Sequence, residues 1–243
     1  MIPLADENPT LRAPVMTYSL LALIFGTWIL GQSAGFDLRR LAISVCDYGM
    51  VPGELTRLAA LGTAVPMGPG LVCIVDDLPI NRLTPLTSMF LHGGWGHLLG
   101  NALFFWVFGN NVEDSMGRIR FLAFYLICGL AAAAAHVSLA PTSPVPTVGA
   151  SGAISGLLGA YVMLYFRVIP TQAWMVVFLW FTWQVLRGLH QLPHLGPDVL
   201  GDVAVWAHVG GFVAGVALVK LFENRRLVDI RTAERHRLHP GHP

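Results

Sequence analysis

Charge is what this sequence has least of. Only 12% of its 243 residues are charged, against roughly a quarter in soluble domains, and Lys220 is the one lysine. With a net charge of +1 there is no basic stripe to neutralise phosphates, which excludes nucleic acid as a partner. Cysteine is nearly as scarce: Cys46, Cys73 and Cys128 include no C-x-x-C pair, which argues against a structural zinc site. H-E-x-x-H is absent, and with it the usual zinc membrane metalloprotease. No basic cluster precedes the first apolar run, and Asp6 and Glu7 are acidic, so that run is expected to stay rather than be cleaved as a signal peptide. What remains is apolar: 54% of residues are hydrophobic, which describes an integral membrane protein with no room for a large soluble domain.

Segments of roughly 17 to 25 apolar residues are the spanning candidates. The sequence predicts six, near 15–31, 94–108, 120–139, 151–166, 172–189 and 203–222. Residues 32–86 are broken by Pro52, Pro66, Pro69 and Pro79 and read as one long loop with short interfacial helices. Residues 1–14 and 223–243 flank the membrane domain, the second as a basic, disordered tail. With six spans both termini share one side. That side holds Arg12, Arg118, Arg120, Arg167, Lys220 and the five arginines of the tail, whereas the other holds Arg39, Arg40, Arg57, Arg82 and Arg187. The bias puts both termini in the cytoplasm and the long loop outside. Cys46 and Cys73 share that loop and are a candidate disulfide if the outer face is oxidising.

Three polar stretches interrupt the apolar pattern. Val148 to Gly159, V-G-A-S-G-A-I-S-G-L-L-G, sets Ser151 among glycines, with Gly149 and Gly152 beside it and Gly156 following. His208 precedes Gly211 and Gly215, a small-x-x-x-small face suited to pack on Gly152 and Gly156. His97 and Asn101 lie four apart, on one helix face. In the expected topology all four polar residues sit near the outer ends of spans two, four and six. A lone membrane serine ordinarily bonds the carbonyl one turn back. An ionisable histidine in a span needs a reason. Together they suggest a nucleophile, Ser151, with a general base, His208. No acidic residue in the spans stands near them, so a dyad without a carboxylate is expected. His97 and Asn101 supply donors for the oxyanion of attack; the plainer alternative is that they tie helices together.

These residues carry a resemblance. Gly149-Ala-Ser151-Gly152, His208 with Gly211, and His92-x4-His97-x3-Asn101 resemble the rhomboid family of intramembrane serine proteases, as do Glu113-x3-Gly117-Arg118 and Arg120-Phe-Leu-x-Phe-Tyr125. The similarity covers about residues 83–222. It implies an all-α, polytopic bundle of six transmembrane helices and a Ser151–His208 dyad that hydrolyses peptide bonds in or beside the bilayer. Asn101, His97 and the Ser151 backbone N–H would hold the oxyanion, and Glu113 would be structural. The implied partners are single-span membrane protein substrates, entering past a mobile fifth span, and the lipid bilayer; no metal or organic cofactor is implied. The expected location is a bacterial plasma (inner) membrane.

The sequence departs from the family pattern twice. Ser155 stands four residues after Ser151, where some members have an aromatic that stacks on the histidine, and the first loop has no Trp-Arg dipeptide. The rival expectation is a catalytically silent rhomboid-like protein that binds membrane clients. Silent relatives are expected to lack the serine or the histidine, and this chain keeps both.

Overall fold

The computed structural model describes residues 10–165, 171–191 and 205–238. Arg167, counted above in the charge bias, lies outside them. The chain begins with α1 (Val15–Gly26), continued by a π-helical turn, Thr27–Gly31. The long loop follows, holding α2 (Leu38–Tyr48), α3 (Pro52–Thr56), an antiparallel hairpin of β1 (Ala64–Gly68) and β2 (Leu71–Ile74), and α4 (Thr84–Thr87). Then come α5 (Trp95–Met116), α6 (Arg118–Leu139), α7 (Ser151–Tyr165), α8 (Thr171–Gln191), α9 (Val205–Phe222) and α10 (Arg225–Leu238). The molecule is mainly helical, with the hairpin as a departure from the all-α expectation. Its cause is local: Gly68 and Gly70, both at positive φ, turn the chain between two short apolar runs, and Val65 pairs with Cys73 on the buried side.

Helix α7 is the axle. Nearly every side chain along it is buried, and it packs against α5, α6 and α9. Two of its neighbours, α6 and α9, are long and apolar enough to cross a membrane by length and composition among the described residues. At 15 residues α7 spans roughly 22 Å, short of a hydrocarbon core of about 30 Å. A short helix buried among longer ones leaves a hollow at one end, and Ser151 is its first residue.

The α7–α9 seam has almost no side chains in it. A methyl added at Gly211 would overlap the Gly152 carbonyl, and one at Gly215 the Gly156 carbonyl. On the third side, a methyl at Gly156 would overlap Cys128 of α6. Without side chains between them, two backbones approach closely enough for dispersion contacts and weak Cα–H···O bonds to hold them together.

Helix α5 runs two turns past the expected end of the second span at Phe108. Asn111, Glu113 and Asp114 make that stretch look like a loop, yet all are buried. Glu113 accepts from Met16 N–H (3.0 Å), Thr17 N–H (2.7 Å) and the Thr17 hydroxyl (2.8 Å). It thus caps the first turn of α1, whose N–H groups have no partner of their own. Asp114 pairs with Arg12 at 3.1 Å and accepts from Leu11 N–H.

The tail is not a disordered appendage over its described length. Helix α10 returns to the end of the bundle away from Ser151, where Arg231 is buried. Its guanidinium donates to Ser115 Oγ, Tyr165 OH and the Asn111 carbonyl, and stands 4.2 Å from the Tyr165 ring centroid. The charge pattern of 225–238 reads as solvated because one arginine's burial leaves no periodic trace.

Cys46 of α2 and Cys73 of β2 are joined in a disulfide, whereas Cys128 is free and buried. Under denaturing conditions a thiol reagent is expected to modify one cysteine before reduction and three after. Three before reduction would rule the bridge out. Closing a loop of this size contributes roughly 3 to 4 kcal/mol by loop entropy.

Candidate active site

Ser151 is fixed from both directions. Ahead of it, Thr147 forms a two-way backbone bridge with Met50, and Gly149 N–H donates to the Ser88 carbonyl at 2.9 Å. Gly149 adopts φ +128°, a conformation that side chains resist, and a Cβ there would stand 2.7 Å from the His97 ring. Glycine two residues before the serine is therefore required twice, by the backbone and by the imidazole lying over it. Behind Ser151, Ser155 donates to the Ser151 carbonyl at 2.6 Å. Ser155, fully buried, is thus a helix back-bond, and it leaves the space beside His208 to another residue.

His208 comes from α9, across the glycine seam. Its Nε2 is 2.7 Å from Ser151 Oγ. Its Nδ1 is 3.1 Å from Gln184 Oε1, and the Trp180 ring lies 5.7 Å from the imidazole, centroid to centroid, tilted by 45°. Both of these neighbours belong to α8. The aromatic companion that some family members carry four residues after the serine therefore comes here from a different helix, at Trp180. Sequence reasoning missed Gln184 as well. A polar residue inside an apolar span, one turn after Trp180, was the available signal.

The α5 side brings His97 and Asn101. A cavity of about 240 Å³ is lined by Ser151, His208, His97, Asn101, Phe104 and Trp180 among others, so the four residues singled out in the sequence share one chamber. Asn101 is not loose in it: its Nδ2 lies 3.0 Å from Nε2 of His92, which is fully buried. His92 is itself anchored by Gln32, whose side-chain amide donates to the His92 carbonyl (2.8 Å) and accepts from its N–H (2.9 Å). An Asn has two amide protons. With one directed at His92, the second is left for the chamber. His92 and His97 meet edge to face at 5.1 Å.

A hydroxyl hydrogen-bonded to an imidazole, in an apolar bundle, opening on a small chamber with an amide donor, is an arrangement whose chemistry suits acyl transfer through a serine. The family model described as Rhomboid domain matches residues 82–225. The chain belongs to the rhomboid family. It is similar to rhomboid protease GluP of Bacillus subtilis (36% identical over 142 residues, 55% of this chain and 25% of that protein). It is also similar to rhomboid-like protease 5 of Toxoplasma gondii (35% over 136 residues, 53% and 15%) and to rhomboid protein 1, mitochondrial, of Saccharomyces cerevisiae (27% over 148 residues, 54% and 43%). The aligned part is thus less than half the length of each of these relatives.

Proposed function

We propose that this chain is an intramembrane serine protease that hydrolyses peptide bonds in or near the transmembrane segments of membrane proteins. The observation that carries the reading is the 2.7 Å contact between Ser151 Oγ and His208 Nε2 at the head of a short, buried helix. In the proposed cycle the Ser151 hydroxyl attacks the scissile carbonyl carbon while His208 Nε2 takes its proton. The negative charge that develops on the carbonyl oxygen is met by Asn101 Nδ2–H, His97 and the Ser151 backbone N–H. Collapse breaks the C–N bond, and the proton on His208 passes to the leaving amine. Water then gives a proton to His208 and attacks the acyl carbon; the C–Oγ bond breaks, His208 returns the proton to Ser151 Oγ, and the carboxylic acid product leaves.

The membrane domain is proposed as residues 15–222, crossing six times with α1, α5, α6, α7, α8 and α9. Both termini are placed on the cytoplasmic side of a bacterial plasma membrane by the same reading. Single-span proteins are the proposed substrates, reaching the chamber past α8. What supports that route is the outer face of α8: Phe178, Leu179 and Trp183 are each 60% exposed, whereas Val177 is buried.

Asn101→Ala is expected to lower kcat on the order of 100-fold, as for loss of one oxyanion donor, and to lower the melting temperature as well, because buried His92 Nε2 loses its partner. The founding test is chemical. A fluorophosphonate probe should label the detergent-solubilised protein, and mass spectrometry should find the adduct on Ser151. Silence in folded protein, beside an active rhomboid protease as positive control, would favour the client-binding rival.

A further inference from the structure

A histidine base that serves a serine has to present the lone pair of one nitrogen to the hydroxyl. Neutral imidazole carries a single proton, and which nitrogen holds it is decided by what the other nitrogen meets. In serine proteases built on a triad a carboxylate settles this. Among the described residues no carboxylate is hydrogen-bonded to His208; its Nδ1 faces Gln184 Oε1 at 3.1 Å, and its Nε2 faces Ser151 Oγ at 2.7 Å.

We propose that Gln184 is the positioning residue of the dyad: its side-chain carbonyl accepts the Nδ1–H of His208, so that Nε2 is left unprotonated toward Ser151. This rests on the protease reading above. Two observations carry it. The first is the linear order of contacts, Gln184 to Nδ1 and Nε2 to Ser151, which is the order a triad uses. The second is the seat of Gln184. Val177, Trp180, Phe181 and Gln184 fall at i, i+3, i+4 and i+7, one face of α8. Phe181 stacks on Phe212 of α9 at 4.2 Å, and Trp180 flanks the imidazole, so the amide is delivered by a packed face rather than by a free rotor. Without the acceptor, the tautomer with a proton on Nε2 competes, and it offers Ser151 a donor where an acceptor is needed. The same carbonyl dipole steadies the imidazolium that forms during attack, when a hydrogen bond to a charged group matters more than one to a neutral ring. Since α8 carries neither Ser151 nor His208, the base is completed by a third helix, and only while that helix is seated.

The test uses the full chain in detergent and the fluorophosphonate probe, read as a maximal labelling rate and a half-saturating concentration. Gln184→Met keeps the length and removes the acceptor. It is expected to lower the maximal rate on the order of 10- to 100-fold while leaving the half-saturating concentration within about twofold. Gln184→Asn, one methylene short, should lose as much. Gln184→Glu restores an acceptor at the same reach and should recover most of the loss. A Met or Asn variant that is folded and labels as fast as the unaltered chain overturns the assignment, as does a Glu variant as slow as Met. Failure of the unaltered chain to label at Ser151 is a different result: it removes the protease reading, and this assignment with it.

Discussion

Ser151→Ala is expected to abolish fluorophosphonate labelling and to lower cleavage of a membrane substrate by about 10⁴-fold or more, the scale of removing a nucleophile from a serine hydrolase. His208→Ala should do nearly the same. The double variant should be little worse than either, because the two side chains act as one unit and the second loss removes nothing that still works. Melting temperature separates this from collapse of the fold. Ser151 Oγ points into a chamber rather than into packing, so its removal leaves the α7–α9 seam intact. Cleavage that survives in a folded Ser151→Ala protein would sink the dyad.

The second large effect is expected at a residue that touches no reacting atom. Gly215→Ala places a methyl against the Gly156 carbonyl, carbonyl carbon and Cα, and backbone cannot rotate away as a side chain can. Overpacking of that kind costs about 1 to 3 kcal/mol, enough to lower the melting temperature by several degrees. Activity should fall further than stability. His208 and Gly215 share α9 seven residues apart, two turns, so a helix pushed off α7 takes the base with it, and about 1 Å of misplacement costs on the order of 100-fold. Gly26→Ala is the control. It lies at helical φ and ψ with nothing near its Cβ, and should leave activity unchanged while holding or slightly raising stability. Equal behaviour of the two variants would show that the seam does not set the site's geometry.

Much of the site was legible because its signals are compositional: a serine among glycines, and a histidine in a span, are both anomalies against an apolar background. The glycine spacing at 152, 156, 211 and 215 named the partners as well as the residues. What stayed hidden depends on contacts between segments far apart in the chain. Gln184 is one of several polar residues in α8, and nothing in its neighbours says that it meets His208, 24 positions away. The role of His92 was hidden likewise, since Asn101 presents the same face to the chamber whether or not something holds its back. Glu113 appeared as part of a junction motif, yet its work is at α1, 96 residues earlier. The C-terminal part of α5 was undercounted for the same reason. Hydropathy treats Asn111, Glu113 and Asp114 as exposed, and burial became affordable only through donors that local sequence does not contain.

The docking of Arg231 has a consequence for how the molecule is made. The helices that carry Ser151 and His208 are complete in the nascent chain before residues 225–238 have been synthesised. Until then Ser115 and Tyr165, at the opposite end of the bundle from the chamber, lack the guanidinium that joins α5 to α7 in the finished protein. The two helices nevertheless meet there on their own account, since the Tyr165 hydroxyl donates to the Asn111 carbonyl at 3.0 Å. The last-made helix therefore adds a cation to a contact that the earlier helices already form, a late reinforcement of the end farthest from the chamber.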